Sequence, residues 1–481
     1  MGMSVAGHVG ERLGRWTLKK KLGSGGFGSA WLAEDDNGYT AALKLLPGPP
    51  GGELRALAKV CHAAIPSLLD AQGGSRPFIA MELAPGKTMT RMLKAGRAPD
   101  AAAVKIIAIL ADALSAVHQA GMVHGDIKPD NILVNSVKRG EMMIVDFGVA
   151  GTGEGGTLHY AAPERLSGGE ALPGCDVYAL GLIAYEMLHQ QLPWAEQGIA
   201  ASLMKRKGEV PATSSGPAWL QELVTRMLAV APGDRPTANE VADTCAAHGA
   251  KIPAPGPDLL RLRAERVHID QPGVGEALAN WIGRGGTLAV HGPSGAGRTH
   301  TLERAGIELR AEGLPVLRLV ASGEPWAPIR AALESTALPN PPAALPEDPD
   351  TDVRATTAAA LIEERSPEVL YLLVDDVESC DEGTVATLKK LTGRGRVRVL
   401  VTGEEAPAWA TDEIELAELD ADGVTELVRG VLGDGASLDA LADQLHLLSG
   451  GLPGMVVDLL VGACQAQVLV RRNQRWMVGE R

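Results

Sequence analysis

The first residues in this chain equipped to hold phosphate are a run of glycines and a lysine. Leu22-Gly23-Ser24-Gly25-Gly26-Phe27-Gly28 reads as G-x-G-x-x-G between two strand-like stretches. Such glycines let a backbone close over phosphate groups without side-chain clashes, and they equally make an ordinary hairpin. Sixteen residues after Gly28, Ala41-Ala42-Leu43-Lys44 ends an apolar run in a lysine. That lysine could pair with phosphates or simply sit in solvent at a strand end.

Later motifs narrow the choice. Val123-His124-Gly125-Asp126-Ile127-Lys128-Pro129-Asp130-Asn131 follows a helical stretch. Ile144-Val145-Asp146-Phe147-Gly148 follows a short apolar strand, and Ala162-Pro163-Glu164 comes after it. In this order and spacing the set resembles the Hanks-type Ser/Thr protein kinases over residues 12–248. The resemblance implies a bilobal fold that uses ATP and Mg²⁺ and transfers the γ-phosphate to Ser or Thr hydroxyls of protein substrates. Phosphoryl transfer depends on positioning and charge neutralisation more than on covalent help.

On that resemblance Asp126 accepts or orients the substrate hydroxyl, and Lys128 reaches the γ-phosphate. Lys44 binds the α- and β-phosphates, and Asn131 and Asp146 hold Mg²⁺. Gly23, Ser24, Gly25, Gly26, Phe27 and Gly28 cover the nucleotide. Ala42, Met81, Glu82 and Leu83 are further nucleotide-binding positions, with Met81 as gatekeeper beside the adenine-binding hinge. Thr157 supports Asp126 and Lys128. Asp176 anchors the catalytic loop, and Arg235 pairs with Glu164.

Two features depart from the family pattern. The family's αC glutamate corresponds to Glu53, nine positions before His62 in His62-Ala63-Ala64-Ile65. Glu53 is only nine residues after Lys44, about half the family interval, across a connection rich in Pro and Gly. The first turns of its helix are therefore expected to be missing or frayed, and a merely solvated helix glutamate remains open. Where the family has the arginine of H-R-D, this chain has Gly125, so an activation-loop phosphate has lost its main receptor.

A second phosphate-type motif stands further on. Val290-His291-Gly292-Pro293-Ser294-Gly295-Ala296-Gly297-Arg298-Thr299 fits G-x-x-x-x-G-K-[ST] except that Arg298 replaces lysine. Between a strand and a helix, Gly292 to Gly297 would cradle phosphates and Thr299 could ligate Mg²⁺. Arginine keeps the charge but is larger and planar, so the loop either binds nucleotide with poor hydrolysis or keeps only its shape. The run 369–374 ends in Asp375-Asp376, where Asp375 could hold Mg²⁺ through water. With Thr402 and Ser449-Gly450-Gly451-Leu452-Pro453, the segment 266–478 resembles the STAND branch of AAA+ ATPases, which follow such kinase domains in bacterial signalling proteins.

The elements that must position these groups are also legible. Apolar residues at Val104, Ile107, Leu110, Leu114 and Val117 predict a helix over 101–119 that stops at Gly121. Apolar runs at 288–290, 316–321, 369–374 and 397–401, separated by helical patterns, predict a parallel sheet covered on both faces. Pro and Gly clusters at 253–257 and 339–349 mark a boundary and a long surface loop. The fold class is multidomain α+β and α/β: a bilobal kinase fold, then a P-loop parallel-sheet domain with a C-terminal helical part. The expected divisions are 12–248, kinase; 249–265, linker; 266–415, P-loop ATPase-like; and 416–481, helical lid and partial winged-helix-like region.

Composition limits the alternatives. With 481 residues and 45% hydrophobic content the chain suffices for two or three domains. A formal net charge of −14 argues against a nucleic-acid partner held through phosphates. The five cysteines form no C-x-x-C pair, which fits a reducing compartment. The first fifteen residues lack an apolar core, and the stretch 455–470 is too polar to span a bilayer. The expectation is a cytoplasmic protein without a membrane partner: an ATP-dependent Ser/Thr kinase in bacterial signalling. Its degenerate P-loop module would sense nucleotide or act as a scaffold, with self-association or signalling partners through that module. A competing reading, an interaction protein built on an inactive kinase, is opposed by the intact Lys44, Asp126, Asn131 and Asp146.

Overall fold

The computed structural model describes residues 7–25, 28–35, 38–73, 76–147, 159–193, 204–208, 215–253, 256–265, 267, 269, 271–321, 324–335, 343–365, 369–433, 438–472 and 475–478. The chain begins with an antiparallel sheet of β1 (Arg12–Leu13), β2 (Trp16–Gly25), β3 (Gly28–Glu34), β4 (Thr40–Leu45), β5 (Leu68–Gln72) and β6 (Phe78–Glu82), in the order β1-β2-β3-β4-β6-β5. Alternation sets its faces: along β3, Ser29, Trp31 and Ala33 point inward between half-exposed neighbours. Trp16, Leu18, Trp31, Leu43, Leu45 and Phe78 fill the core of this lobe. Between β4 and β5 lies helix α1 (Gly51–Lys59), nine residues long. The connection from β4 is 46–50, so the expected shortening of this helix is present at its start.

The second lobe is helical. It comprises α2 (Met89–Lys94), α3 (Asp100–Gln119), α4 (Pro173–His189), α5 (Ala218–Met227) and α6 (Ala238–Ala247). A small sheet of β7 (Lys87–Thr88), β8 (Ile132–Ser136) and β9 (Glu141–Ile144) packs beside α2. Helices α3 and α4 are apolar on nearly every side because they are central, packed on one another and, for α3, on α6. Helix α3 is the one described helix long and apolar enough to cross a membrane, and 72% of its apolar window is buried inside the protein. Thr237 caps α6 through a reciprocal bond with Glu240.

The 249–265 stretch, expected as a linker, contains α7 (Pro257–Ala264). Leu260 and Ala264 of α7 pack into a core formed by α13 (Ala421–Leu432), α14 (Leu438–Ser449) and α15 (Pro453–Gln465). The polar spacing of Arg261, Arg263 and Glu265 hides an element whose partners lie far along the chain. Before that helical group comes a five-stranded parallel sheet with the order β11-β12-β13-β10-β14: β10 (Thr287–His291), β11 (Val316–Leu319), β12 (Leu370–Val374), β13 (Val397–Gly403) and β14 (Asp412–Glu415). Two separate cores cover its faces, one with α8 (Val274–Arg284) and α9 (Arg298–Ala311), the other with α10 (Ala327–Glu334), α11 (Thr351–Arg365) and α12 (Glu382–Leu391). Every residue of β12 is buried, as the doubly covered arrangement requires. Strand β14 was not expected, because Asp412-Glu413-Ile414-Glu415 is a polar edge strand. The chain closes with a hairpin, β15 (Leu469–Arg472) and β16 (Arg475–Val478).

Candidate active site

The pairing of β4 with β6 sets Ala42 opposite Met81 and Ala41 opposite Glu82, so the predicted lysine strand and hinge run side by side. Gly28, where β3 starts, has φ +126, and a Cβ there would stand 1.9 Å from the Leu45 carbonyl oxygen. Only glycine fits that crossing of the loop over β4. Gly23 and Ser24 continue β2 at the same end, paired with Ala30 and Ser29. Gly26 and Phe27 lie outside the described residues.

Lys44 is carried inward on β4 and is 7% exposed. Its Nζ donates to the Phe147 carbonyl at 2.7 Å and stands 3.4 Å from Asp146 Oδ1. A buried ammonium needs such partners, because its charge is costly to desolvate. Glu53 lies within α1, but its side chain is outside the described part of the helix. Asp146 has φ +61, an uncommon conformation for a residue with a side chain and one that collects at functional sites.

A short 3-10 turn, Pro129–Asn131, folds the loop that carries Asp126 and Lys128 back on itself. Lys128 Nζ donates to Asp126 Oδ2 at 2.6 Å. Asn131 Nδ2 donates to the Asp126 carbonyl at 2.8 Å and to its carboxylate at 3.1 Å. Asp126, Lys128 and Asn131 thus form one cluster. With Nδ2 so engaged, the hard carbonyl oxygen of Asn131 is left for another ligand, and the Asp146 carboxylate is 59% exposed toward solvent. Oxygen donors of this kind fit Mg²⁺, which keeps most of its other positions for water and phosphate.

Beneath the cluster, Asp176 at the start of α4 is 1% exposed. It accepts from the backbone N–H of His124 (2.9 Å), the N–H of Gly125 (2.8 Å) and His118 Nε2 (2.9 Å). Gly125 takes φ +74 there, a conformation that suits glycine. His124 is fully enclosed, and burial holds its imidazole below its ordinary value. It sits 3.1 Å from the Val145 carbonyl and tilts against the Phe147 ring at 4.8 Å. The segments that carry Asp126 and Asp146 are therefore cross-linked through buried groups.

The protein kinase domain family matches residues 16–245. The serine/threonine-protein kinase PknA of Mycobacterium tuberculosis is 31% identical over 306 residues, covering 56% of this chain and 70% of that relative. This chain belongs to the protein kinase family. Two kinases of Myxococcus xanthus are also similar: pkn2, 29% identical over 329 residues, and Pkn1, 32% identical over 259 residues. They align with 61% and 47% of this chain, which spans 39% and 37% of their own length.

The rest of the kinase domain braces the segment that ends in Ala162-Pro163-Glu164. Arg235, its side chain fully buried, forks onto Glu164 with bonds of 2.7 and 2.8 Å. Burial alone would raise the Glu164 carboxyl, but hydrogen bonds from Arg235 and Cys175 outweigh it and hold the carboxyl below its ordinary value. One contributor was invisible in the sequence. Lys205, 3% exposed, donates to the carbonyls of His159 (2.6 Å) and Ala161 (3.1 Å). Nothing marks this lysine in the chain, because the two carbonyls it reaches are main-chain atoms more than forty residues away. Thr157 and the 148–158 segment lie outside the described residues.

The second phosphate-type motif has its own geometry. Arg298 and Thr299 open α9, directly after Gly297 at φ +102. Thr299 Oγ1 donates to Asp375 Oδ1 at 3.2 Å, and Thr402 Oγ1 donates to the same oxygen at 2.7 Å. The loop, Asp375 and Thr402 thus converge at the carboxyl ends of β10, β12 and β13. That is where ligands bind in open parallel sheets. Arg298 Nη1 is buried with no hydrogen-bond partner among the described residues. Unforeseen in the sequence, Arg318 of β11 places Nη2 3.3 Å from Asp375 Oδ2. Gly292 has φ +146 and lies against the Leu416 carbonyl. The N–H of Gly454, in the first turn of α15, reaches the Gly295 carbonyl at 2.9 Å.

Proposed function

We propose that this chain is an ATP-dependent serine/threonine kinase of bacterial signalling that works in the cytoplasm on protein substrates. The observation that carries the reading is the cluster of Asp126, Lys128 and Asn131, tied together at 2.6–3.1 Å and bonded through the Asn131 main-chain carbonyl to the Val145 N–H, next to the Asp146 that pairs with Lys44. Asp126 would orient the Ser or Thr hydroxyl and take its proton as the phosphoryl group leaves. Lys128, already pointed at Asp126, would sit on the charge of the transferred group. Lys44 would hold the α- and β-phosphates, with Glu53 as the glutamate expected to orient it. Ala42, Met81, Glu82 and Leu83 would line the adenine side, and Gly23 to Gly28 would cover the phosphates. Asn131 and Asp146 would hold Mg²⁺, which when bound supplies charge neutralisation at the phosphates. Incubating the protein with labelled ATP and Mg²⁺, beside Asp126→Asn, tests the assignment.

For the C-terminal half we propose a degenerate P-loop ATPase-like module of the AAA+/STAND type that senses nucleotide or acts as a scaffold for signalling partners or a second copy of the chain. The buried, unpartnered Nη1 of Arg298 beside Gly297 supports an anionic ligand. Gly292, Gly297, Arg298, Thr299 and Asp375 would line the site. Arg318 already occupies one oxygen of Asp375, so a fixed cation offsets part of the charge with which this carboxylate would hold Mg²⁺, and this favours binding over hydrolysis. The domain division 12–248, 249–265, 266–415 and 416–481 belongs to the same proposal, with α7 grouped with the final helices.

A further inference from the structure

Helix α1 is too short to stand alone. Nine residues fall below the length at which an isolated helix is more than marginal in water, so its position is set by packing. Its inner face is buried: Leu54 and Leu57 enter the core of the kinase domain. That same core contains Ala311 and is packed by Ile307, both from α9 of the P-loop half. The outer face is held by charge. Arg55 of α1 donates through Nε to Glu308 of α9 and through Nη2 to Glu312, the residue that caps the end of that helix. The backbones also meet. A Cβ on Gly73, just after β5, would stand 2.9 Å from the Gly313 backbone, and Gly313 itself abuts Pro49, two residues before α1. Beyond the C-terminal end of α1, Arg263 of α7 donates to the Cys61 carbonyl at 3.2 Å.

We propose that helix α9 is a built-in clamp for α1. Its acidic face, Glu308 and Glu312, recognises Arg55, and the kinase works fully only while the P-loop half holds this helix in place. The segment 46–50 carries Pro47, Pro49 and Pro50 and does not extend the helix, so the clamp supplies support that the kinase sequence lacks. The same α9 begins at Arg298 and Thr299. A rigid helix thus joins the phosphate-type loop to α1 over about 14 Å, at 1.5 Å per residue from Thr299 to Glu308. The inference rests on the kinase reading above.

A charge-swap cycle in the full chain tests it. Arg55→Glu should lower phosphotransfer at least fivefold, the low end of measured couplings between sites. Hydrogen exchange over 51–59 should speed up in parallel. The pair Glu308→Arg with Glu312→Arg should do the same. Combining all three substitutions should return activity to within about twofold of wild type and slow the exchange again. An active wild type with an Arg55→Glu variant that keeps its activity overturns the clamp and leaves the kinase assignment intact. Failure of the triple variant to recover while its thermal midpoint matches wild type also overturns it. A wild type with no phosphotransfer removes the kinase reading itself.

Discussion

Arg235 is the most consequential structural side chain in the second kinase lobe, and replacing it by alanine should show this. All of its nitrogens are engaged: Nη1 and Nη2 fork onto Glu164, and further bonds of 2.7–2.9 Å reach the carbonyls of Gly174, Ala229 and Val230. The guanidinium lies over the Tyr178 ring at 4.8 Å from its centroid. Removing one partner of a buried pair leaves the other charge uncompensated, at about 3–5 kcal/mol. For a unit of 150–250 residues that corresponds to a fall in melting midpoint of roughly 6–20 °C. Arg235→Lys should recover part of this at most, because an ammonium cannot reproduce the planar fork.

The assay is thermal denaturation of wild type, Arg235→Ala, Glu164→Ala and the double variant. The double variant should be no worse than the more damaged single, since the orphaned charge is gone; the coupling should reach about 1.5–3 kcal/mol. A pH series adds a sign. The Glu164 carboxyl lies below its ordinary value in the folded protein, so its contribution is complete above about pH 4.5 and is lost as the pH falls through the folded value. A midpoint shift under 2 °C for Arg235→Ala, or a coupling near zero, would refute the reasoning.

Two further perturbations follow. Gly28→Ala forces a Cβ into the Leu45 carbonyl at a left-handed φ, so phosphotransfer at limiting ATP should fall tenfold or more while the protein stays folded; an unimpaired variant contradicts the described loop. Burial pushes the Lys205 ammonium down to about 8, below its unfolded value of 10.5. Between these values the unfolded chain binds more protons, so unfolding free energy should rise with pH from about 8 to 10.5, by up to roughly 1.4 kcal/mol per unit. Lys205→Met should flatten that rise relative to wild type, and identical slopes would contradict the burial argument.

The sequence carried the kinase half well because its motifs are contiguous: Asp126, Lys128 and Asn131 lie within six positions of one another, and their mutual bonds follow from that closeness. The anchoring role of Asp176 and the fork of Arg235 on Glu164 were readable only through family resemblance, since 50 or more positions separate each from its partner. What stayed hidden depends on distance without a motif. Arg55 meets Glu308 across 253 positions, and Lys205 reaches backbone carbonyls 46 and 44 positions away. Helix α7 and strand β14 were missed for a different reason, because their charged residues mask elements that pack along one side. In the C-terminal half the apolar runs located four of the five parallel strands, but no pattern announced Arg318 at Asp375.

The central claim is that this cleft transfers phosphate, and the most direct measurement is incorporation of label from γ-labelled ATP with Mg²⁺ into the protein itself and into a generic Ser/Thr substrate. The account predicts steady incorporation by wild type, recovered as phosphoserine or phosphothreonine, and a loss of at least a hundredfold in Asp126→Asn at unchanged thermal midpoint. Incorporation that persists in Asp126→Asn, or a well-folded wild type that transfers nothing, would contradict it.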